Sequence, residues 1–258
     1  MSPSKPSSDR STLTVIPARL ASTRLPDKPL ADIAGQPMIV HVWRRAMEAA
    51  LGPVVVACAD RAIADAVERA GGHAVMTDPA HPNGTDRVRE AVLAVDPDGR
   101  HEVVVNLQGD MPTMDPDGLR AVAAAVSTPG FDMATLVVAT DDPAERDNPN
   151  AVKAIVAFDP GRPRFGRALY FTRAAAPTGP GPIWHHVGVY AFRRSALERY
   201  AGLPPSPLEI RERLEQLRAL EAGMTIAIAE IDALPRGVDS PADLEWARRH
   251  LGAQGART

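Results

Sequence analysis

The sequence predicts an α/β fold in which a mostly parallel sheet is covered by helices. Two observations carry this. Short apolar runs of strand length alternate along the chain with segments whose apolar residues recur at three-and-four spacing, the pattern of repeated βα units. Several of those runs also stop at polar or basic residues and are followed by a helix signal. That order puts loops at the carboxyl edge of a parallel sheet, where open α/β folds bind ligands.

Taken in order, Leu13, Val15 and Ile16 form the first strand and end at Pro17. The loop that follows carries Arg19, Arg24 and Lys28, with Pro26 and Pro29, and Asp27 as its one acid. Basic residues between prolines are ordinarily solvated surface. After a strand and before a helix, however, guanidinium groups can fork onto phosphate oxygens, and the loop reads as one built for a polyphosphate. The helix is signalled by Ile39, Val42, Trp43, Ala46 and Met47 on one face. Val54 to Ala57 is a second strand, residues 61 to 70 a helix, and Gly71-Gly72 a stop before a short strand from His73 to Thr77. Asn83, Gly84 and Thr85 are turn and cap types that open a helix burying Val88, Val92 and Val95.

The run EVVVNLQGDMP is a buried strand ending in Asn106, Gln108 and Asp110. It belongs beside the first strand, so Asp110 faces the basic loop. A carboxylate beside a triphosphate repels it unless a hard cation intervenes, and Mg2+ is held by one or two carboxylates plus phosphates. Two longer strands follow, within 131–140 and 151–158, joined by the polar loop DDPAERDNPN. RALYFTRAAAP is a further strand leading to Arg173, and WHHVGVYAFRRSAL a strand and helix start. SPLEIRERLEQLRALEAG reads as one helix, capped by Ser206, with Leu208, Leu214, Leu217 and Leu220 as its buried stripe. TIAIAEI is the last strand. Asp239 then sits in a turn before a helix with Ser240 as cap and Pro241 at its first position.

Composition narrows the function classes. The 258 residues, 45% hydrophobic, suffice for one large core with a small lobe. A net charge of -3 gives no electrostatic case for nucleic acid. No stretch of eighteen apolar residues indicates a membrane span, and residues 1–11 lack the apolar centre of a signal peptide, reading instead as a disordered tail. The single cysteine, Cys58, lies in the apolar run VVVAC and reads as a small buried hydrophobe, which fits a reduced, cytoplasmic compartment. Neither G-x-x-x-x-G-K-[ST] nor a G-x-G-x-x-G after the first strand is present, which argues against a P-loop enzyme or a nicotinamide-dependent dehydrogenase.

The string PARLASTRLPDKPLADIAGQPMIVHVWRRA resembles the amino-terminal signature of the sugar nucleotidylyltransferases, most closely the 3-deoxy-manno-octulosonate (KDO) cytidylyltransferases. The resemblance extends, in several ordered blocks, from about Leu13 to Leu251. It implies a Rossmann-like nucleotidyltransferase fold as a single domain over 12–258, with a CTP-binding part at about 12–130, a smaller sugar-binding and dimerisation lobe at 131–235, and a metal-ligand turn and helix at 236–258. The implied reaction joins CTP and KDO to give CMP-KDO and diphosphate for lipopolysaccharide biosynthesis, in a homodimer that uses Mg2+. Another acidic sugar, such as an amino analogue of KDO or a sialic acid, is the competing substrate. Met111 stands where many relatives have Glu, and the loop 174–185 is shorter than theirs.

Residue by residue, the resemblance gives Arg19, Arg24, Lys28, Gly84, Thr85, Arg87 and Gln108 to CTP, with Arg87 donating to the base carbonyl. Asp110 and Asp239 become the metal ligands, and Arg19 and Lys28 join them as catalytic groups. The blocks around Arg173, the His-x-Gly-x-Tyr pattern at His186 and Tyr190, and LEQLR at Glu215 and Gln216 imply the sugar pocket. The N-P-N-x-V-K block ends at Lys153, which is either an ordinary exposed lysine or a substrate contact.

Overall fold

The computed structural model describes residues 12–21 and 25–255, with side chains to 252. Arg24 and the proposed tail 1–11 lie outside the described residues. Strand β1 (Thr12–Ala18) is buried along all seven residues, as a central strand covered on both faces must be. A 3-10 turn, Lys28–Leu30, and the small hairpin β2 (Asp32–Ile33) and β3 (Gln36–Pro37) lead into helix α1 (Met38–Glu48). Ile39, Val42 and Ala46 form its buried face as predicted, but Met47 is 48% exposed. Then come β4 (Val54–Cys58), α2 (Arg61–Arg69), β5 (His73–Met76), α3 (Gly84–Val95), β6 (Val103–Asn106) and α4 (Pro116–Ser127). Helix α4 is masked in the sequence by Pro116 and Gly118 in its first turn, but its Leu119, Val122 and Val126 are buried.

The second half contains β7 (Met133–Thr140), α5 (Pro143–Asp147), β8 (Lys153–Asp159), β9 (Arg162–Thr172), β10 (Ile183–Arg193), α6 (Arg194–Ala201), α7 (Pro207–Glu212), α8 (Gln216–Glu221), β11 (Ile226–Glu230) and α9 (Pro241–Gly255). One nine-stranded sheet runs through both halves in the order β5-β4-β1-β6-β10-β7-β11-β9-β8. Its first four strands are parallel and in the βα arrangement that the alternation predicts. β10 enters antiparallel between β6 and β7, and the long β8–β9 hairpin closes the far edge. Apolar layers pack on both faces of this sheet, and a third cluster (Ile33, Met38, Val238, Leu244, Ala247, Leu251) fastens α9 to the amino-terminal hairpin.

The helix expected over 206–222 is two helices. Arg213 adopts a left-handed conformation (φ 57°), and the chain turns there. In one straight helix, residues 209 and 218 would stand about 13 Å apart along the axis and on different faces. The break lets Arg218 fork onto Glu209, with Nε 2.8 Å and NH2 2.5 Å from its two oxygens, in a pair buried on both sides. The Glu209 carboxyl is raised by burial but drawn down further by Arg218 and the Ser206 N–H, so it stays ionised.

Candidate active site

A cavity of about 450 Å³ opens at the carboxyl ends of β1 and β6. The two strands pair in parallel, so the loops that leave them emerge side by side. Gly109 is what lets them close up, since a Cβ there would lie 2.8 Å from the Pro17 carbonyl oxygen. The β1 loop contributes Arg19 and Lys28 to the lining, and the β6 loop Gln108, Gly109 and Asp110. The start of α3 contributes Asn83, Gly84 and Arg87. Asn83 caps that helix by accepting from the Asp86 N–H at 2.9 Å, so the unpaired N–H groups of a helix start lie beside the cavity. Thr85, predicted to join this wall, is buried and is not part of the lining.

Asp239 reaches the same cavity from the carboxyl-terminal turn. Two links hold that turn against the β6 loop. The Val238 N–H donates to the Asp110 carbonyl at 2.9 Å, and the Arg236 N–H donates to Thr113 Oγ1 at 3.1 Å. Ser240 caps α9 as expected, reciprocally with Asp243: Ser240 Oγ accepts from the Asp243 N–H and the Asp243 carboxylate accepts from the Ser240 N–H.

Lys28 gathers the two aspartates. Its Nζ lies 2.7 Å from Asp110 Oδ2 and 3.1 Å from Asp239 Oδ1. Burial presses the ammonium's pKa down, but the two carboxylates outweigh burial and hold it above its usual value. The convergence of two carboxylates on one cation is what a two-carboxylate magnesium site requires, with phosphate oxygens and water completing the shell. Among the described residues, no group of three or more His, Cys, Asp or Glu side chains is arranged to hold a metal by itself.

Arg87 is 2% exposed. Burial and the neighbouring Arg19 lower its pKa from the ordinary guanidinium value, though a guanidinium remains charged. Among the described residues it makes no ion pair, and its hydrogen bonds both come from NH1, to Thr77 Oγ1 at 2.6 Å and the Asp78 carbonyl at 3.2 Å. A buried cation in a cavity wall with donors to spare suits an acceptor on a ligand. Nothing in the sequence marks Thr77, just after β5, as the partner of a residue ten positions on.

Three of the predicted sugar residues form a second cluster. A bulge in β10 between Val187 and Tyr190 changes the register against β7. Positions 186 and 190 of a regular strand are about 13 Å apart. With the bulge the His186 and Tyr190 rings stand 5.7 Å apart, and Phe171 meets the histidine edge-on at 5.0 Å. Thr135 supports the bulge, its Oγ1 lying 3.0 Å from the Val187 carbonyl, 2.8 Å from the Val189 carbonyl and 2.9 Å from His186 Nε2. The single hydroxyl proton goes to a carbonyl, so Nε2 carries hydrogen and donates to Thr135, leaving Nδ1 as an acceptor. Burial pushes the His186 pKa down to about 3 and the Tyr190 phenol up.

Glu215 joins this cluster through Tyr200, whose hydroxyl donates to the Glu215 carbonyl at 2.9 Å. The Glu215 side chain is exposed, so solvent limits the upward push of the surrounding protein on its carboxyl. Tyr190 pairs with Asn106 at the end of β6, which sets the cluster beside the strand whose loop lines the cavity. Gln216 is 3% exposed, and its Nε2 has no hydrogen-bond partner among the described residues.

Arg173 stands apart from this cluster. Its Nε, NH1 and NH2 donate to the carbonyls of Glu212, Pro149 and Arg213. Lys153, fully buried, donates to the carbonyls of Asn148, Ala151 and Arg173. It is neither an exposed lysine nor a group free to meet substrate: the two cations knit the 148–151 loop to the α7–α8 break.

Residues 13–226 match the model of the cytidylyltransferase family. A 3-deoxy-manno-octulosonate cytidylyltransferase from Rhodospirillum centenum is 64% identical over 96% of each chain, and one from Parvibaculum lavamentivorans 61% identical over 93% of this chain and 92% of its own. Among solved structures, a CMP:2-keto-3-deoxy-manno-octonic acid synthetase complexed with CTP superposes with a TM-score of 0.86 at 39% identity, covering 95% of this chain and 99% of that one. A nucleotidyl transferase from Methanothermobacter thermautotroptrophicus, 15% identical with a TM-score of 0.64, shares the fold. With a family match over most of its length and relatives this similar from end to end, the chain belongs to the cytidylyltransferase family.

Proposed function

We infer that this chain is a 3-deoxy-manno-octulosonate cytidylyltransferase, which transfers CMP from CTP to KDO with release of diphosphate. The observation that carries the reading is the cavity at the ends of β1 and β6, where Arg19, Lys28, Arg87 and Gln108 meet two aspartates and a helix start. That donor set suits a nucleoside triphosphate, and relatives bearing this enzyme's name match nearly all of the chain.

In this reading the anomeric hydroxyl of the sugar attacks the α-phosphorus in line. A sugar oxygen–phosphorus bond forms as the bond from the α-phosphorus to the diphosphate oxygen breaks, and the hydroxyl proton passes to solvent. Arg19 and Lys28 neutralise charge growing on the departing diphosphate, with Arg24 expected beside them. Gly84 and Gln108 contact the nucleotide, and Arg87 donates to the base carbonyl. Asp110 and Asp239 would hold Mg2+, which screens phosphate charge and polarises the α-phosphoryl group; the pair of hard carboxylate oxygens meeting one cation at Lys28 Nζ fits that role. No covalent enzyme intermediate is needed, so catalysis is positioning and electrostatics.

His186, Tyr190, Glu215 and Gln216 are the proposed sugar contacts. The His186 Nδ1 lone pair and the Glu215 carboxylate would accept from sugar hydroxyls, and the unpaired Gln216 Nε2 would donate. Arg173, whose Nε, NH1 and NH2 each donate to a carbonyl, would present its remaining guanidinium hydrogens to the sugar carboxylate. The proposal extends to a cytoplasmic homodimer serving lipopolysaccharide biosynthesis. The exposed apolar side chains Leu169 and Ile210 on the sugar lobe are what a dimer contact would cover. Among the described residues, no helix is long and apolar enough to cross a membrane.

Diphosphate release from CTP or UTP, with Mg2+ and a panel of acidic sugars, tests the reading. Turnover requiring CTP and fastest with KDO is expected. Preference for an amino analogue or a sialic acid would reassign the sugar, and equal use of UTP would refute the base assignment.

A further inference from the structure

Thr77 directly follows the short strand β5 and is 5% exposed. Its hydroxyl is engaged on both sides. It donates its one proton to the Cys58 carbonyl at 3.1 Å, and its oxygen accepts from Arg87 NH1 at 2.6 Å. The Asp78 carbonyl takes the second NH1 hydrogen at 3.2 Å. A guanidinium is a rigid planar fork, so fixing NH1 at two points fixes the whole plane. What remains is the Nε and NH2 side, which has no partner among the described residues and belongs to a side chain lining the cavity.

We propose that Thr77 is a positioning residue for nucleotide recognition: its hydroxyl orients the buried Arg87 guanidinium so that the Nε and NH2 donors are presented to the pyrimidine nucleotide in the cavity. The proposal rests on the reading of Arg87 as a nucleotide contact. The backbone already holds the strand end without the hydroxyl, because the Thr77 N–H donates to the same Cys58 carbonyl at 2.9 Å. Removing the hydroxyl therefore leaves that carbonyl paired and the fold intact. The guanidinium loses one of its two anchors and becomes free to rotate, so the cost falls on binding.

Thr77→Val keeps shape and removes the acceptor; Thr77→Ala is a second variant that relieves any crowding by the added methyl. Calorimetric CTP titration and steady-state kinetics with each substrate varied give the readouts. The expected result for either variant is CTP affinity weakened about tenfold, with KM for CTP rising in step, while kcat and the KM for the sugar change by less than about twofold. Thr77→Ser restores wild-type values. Arg87→Met weakens CTP binding at least as much, and adding Thr77→Val to it brings no further loss, because the group being oriented is gone. Unchanged CTP affinity in the Thr77 variants, beside a loss in Arg87→Met, overturns the role of Thr77 alone. Unchanged CTP affinity in Arg87→Met overturns the reading of Arg87 and the proposal with it. Independent losses that multiply in the double variant, or a fall in melting temperature with both KM values shifted together, make Thr77 a structural residue and also overturn the proposal.

Discussion

Lys28 is bonded to two carboxylates that lie 82 and 211 positions further along the chain. Each of the three was legible singly, as a charged residue just after a strand or before a helix, and Arg19 and Gln108 likewise as residues after a strand, whereas a nucleotide role for Gly84 and Arg87 came only from the family resemblance. If the aspartates hold a metal, Asp110→Asn or Asp239→Asn lowers kcat by roughly 10²-fold or more, about 2.7 kcal/mol at the transition state. The fold, followed by circular dichroism, stays intact. Near-normal turnover at saturating Mg2+ would remove the metal assignment. What Arg173 meets within the fold was not legible, since sequence gives the charge but not the three carbonyls that its donors reach. With its guanidinium on three carbonyls, Arg173→Ala is expected to cost about 2 kcal/mol of stability in urea unfolding, and an undiminished midpoint would contradict that role.

Secondary-structure elements carried by one strong period were readable, while those decided by tertiary contacts were not. The 206–222 segment has an unbroken leucine stripe, and only the Glu209–Arg218 pair explains why the chain turns at Arg213. That turn costs a side-chain-bearing residue its left-handed φ of 57°. Arg213→Gly therefore raises stability by about 0.5–1 kcal/mol, because the carbonyl that Arg173 uses is backbone and remains. A lower urea midpoint would mean that the Arg213 side chain has a role of its own. At the other end of α3, Asp96 accepts from the N–H groups of Arg100 and His101 and from Arg194 NH1. Burial raises its carboxyl, yet the His101 and Arg100 N–H groups and the His101 side chain bring it down to about 2. Asp96→Asn would leave Arg194 without its buried counter-charge and cost about 3 kcal/mol, read as a fall in melting temperature.

Over the whole molecule, the parallel half of the sheet followed from βα alternation, but the antiparallel entry of β10 could not, because strand order depends on pairings between distant segments. That entry sets His186 and Tyr190 on the strand next to β6, near the nucleotide cavity. His186 also links the site to pH. Its folded pKa of about 3 lies below the unfolded value, so the unfolded chain binds the extra proton. Stability is accordingly full above about pH 6.5 and falls on acidification toward pH 3, by up to about 1.4 kcal/mol per unit. His186→Gln should flatten the acid limb of a stability–pH profile; an unchanged slope would place the proton uptake elsewhere.

The central claim is transfer of CMP to the sugar at the β1–β6 cavity, and CTP labelled at the α-phosphorus follows it directly. With Mg2+ and KDO, the account predicts that the label appears in CMP-KDO in step with diphosphate, and that Asp110→Asn slows both about 10²-fold. Label released as free CMP without sugar product, or transfer undiminished in the variant, would contradict it.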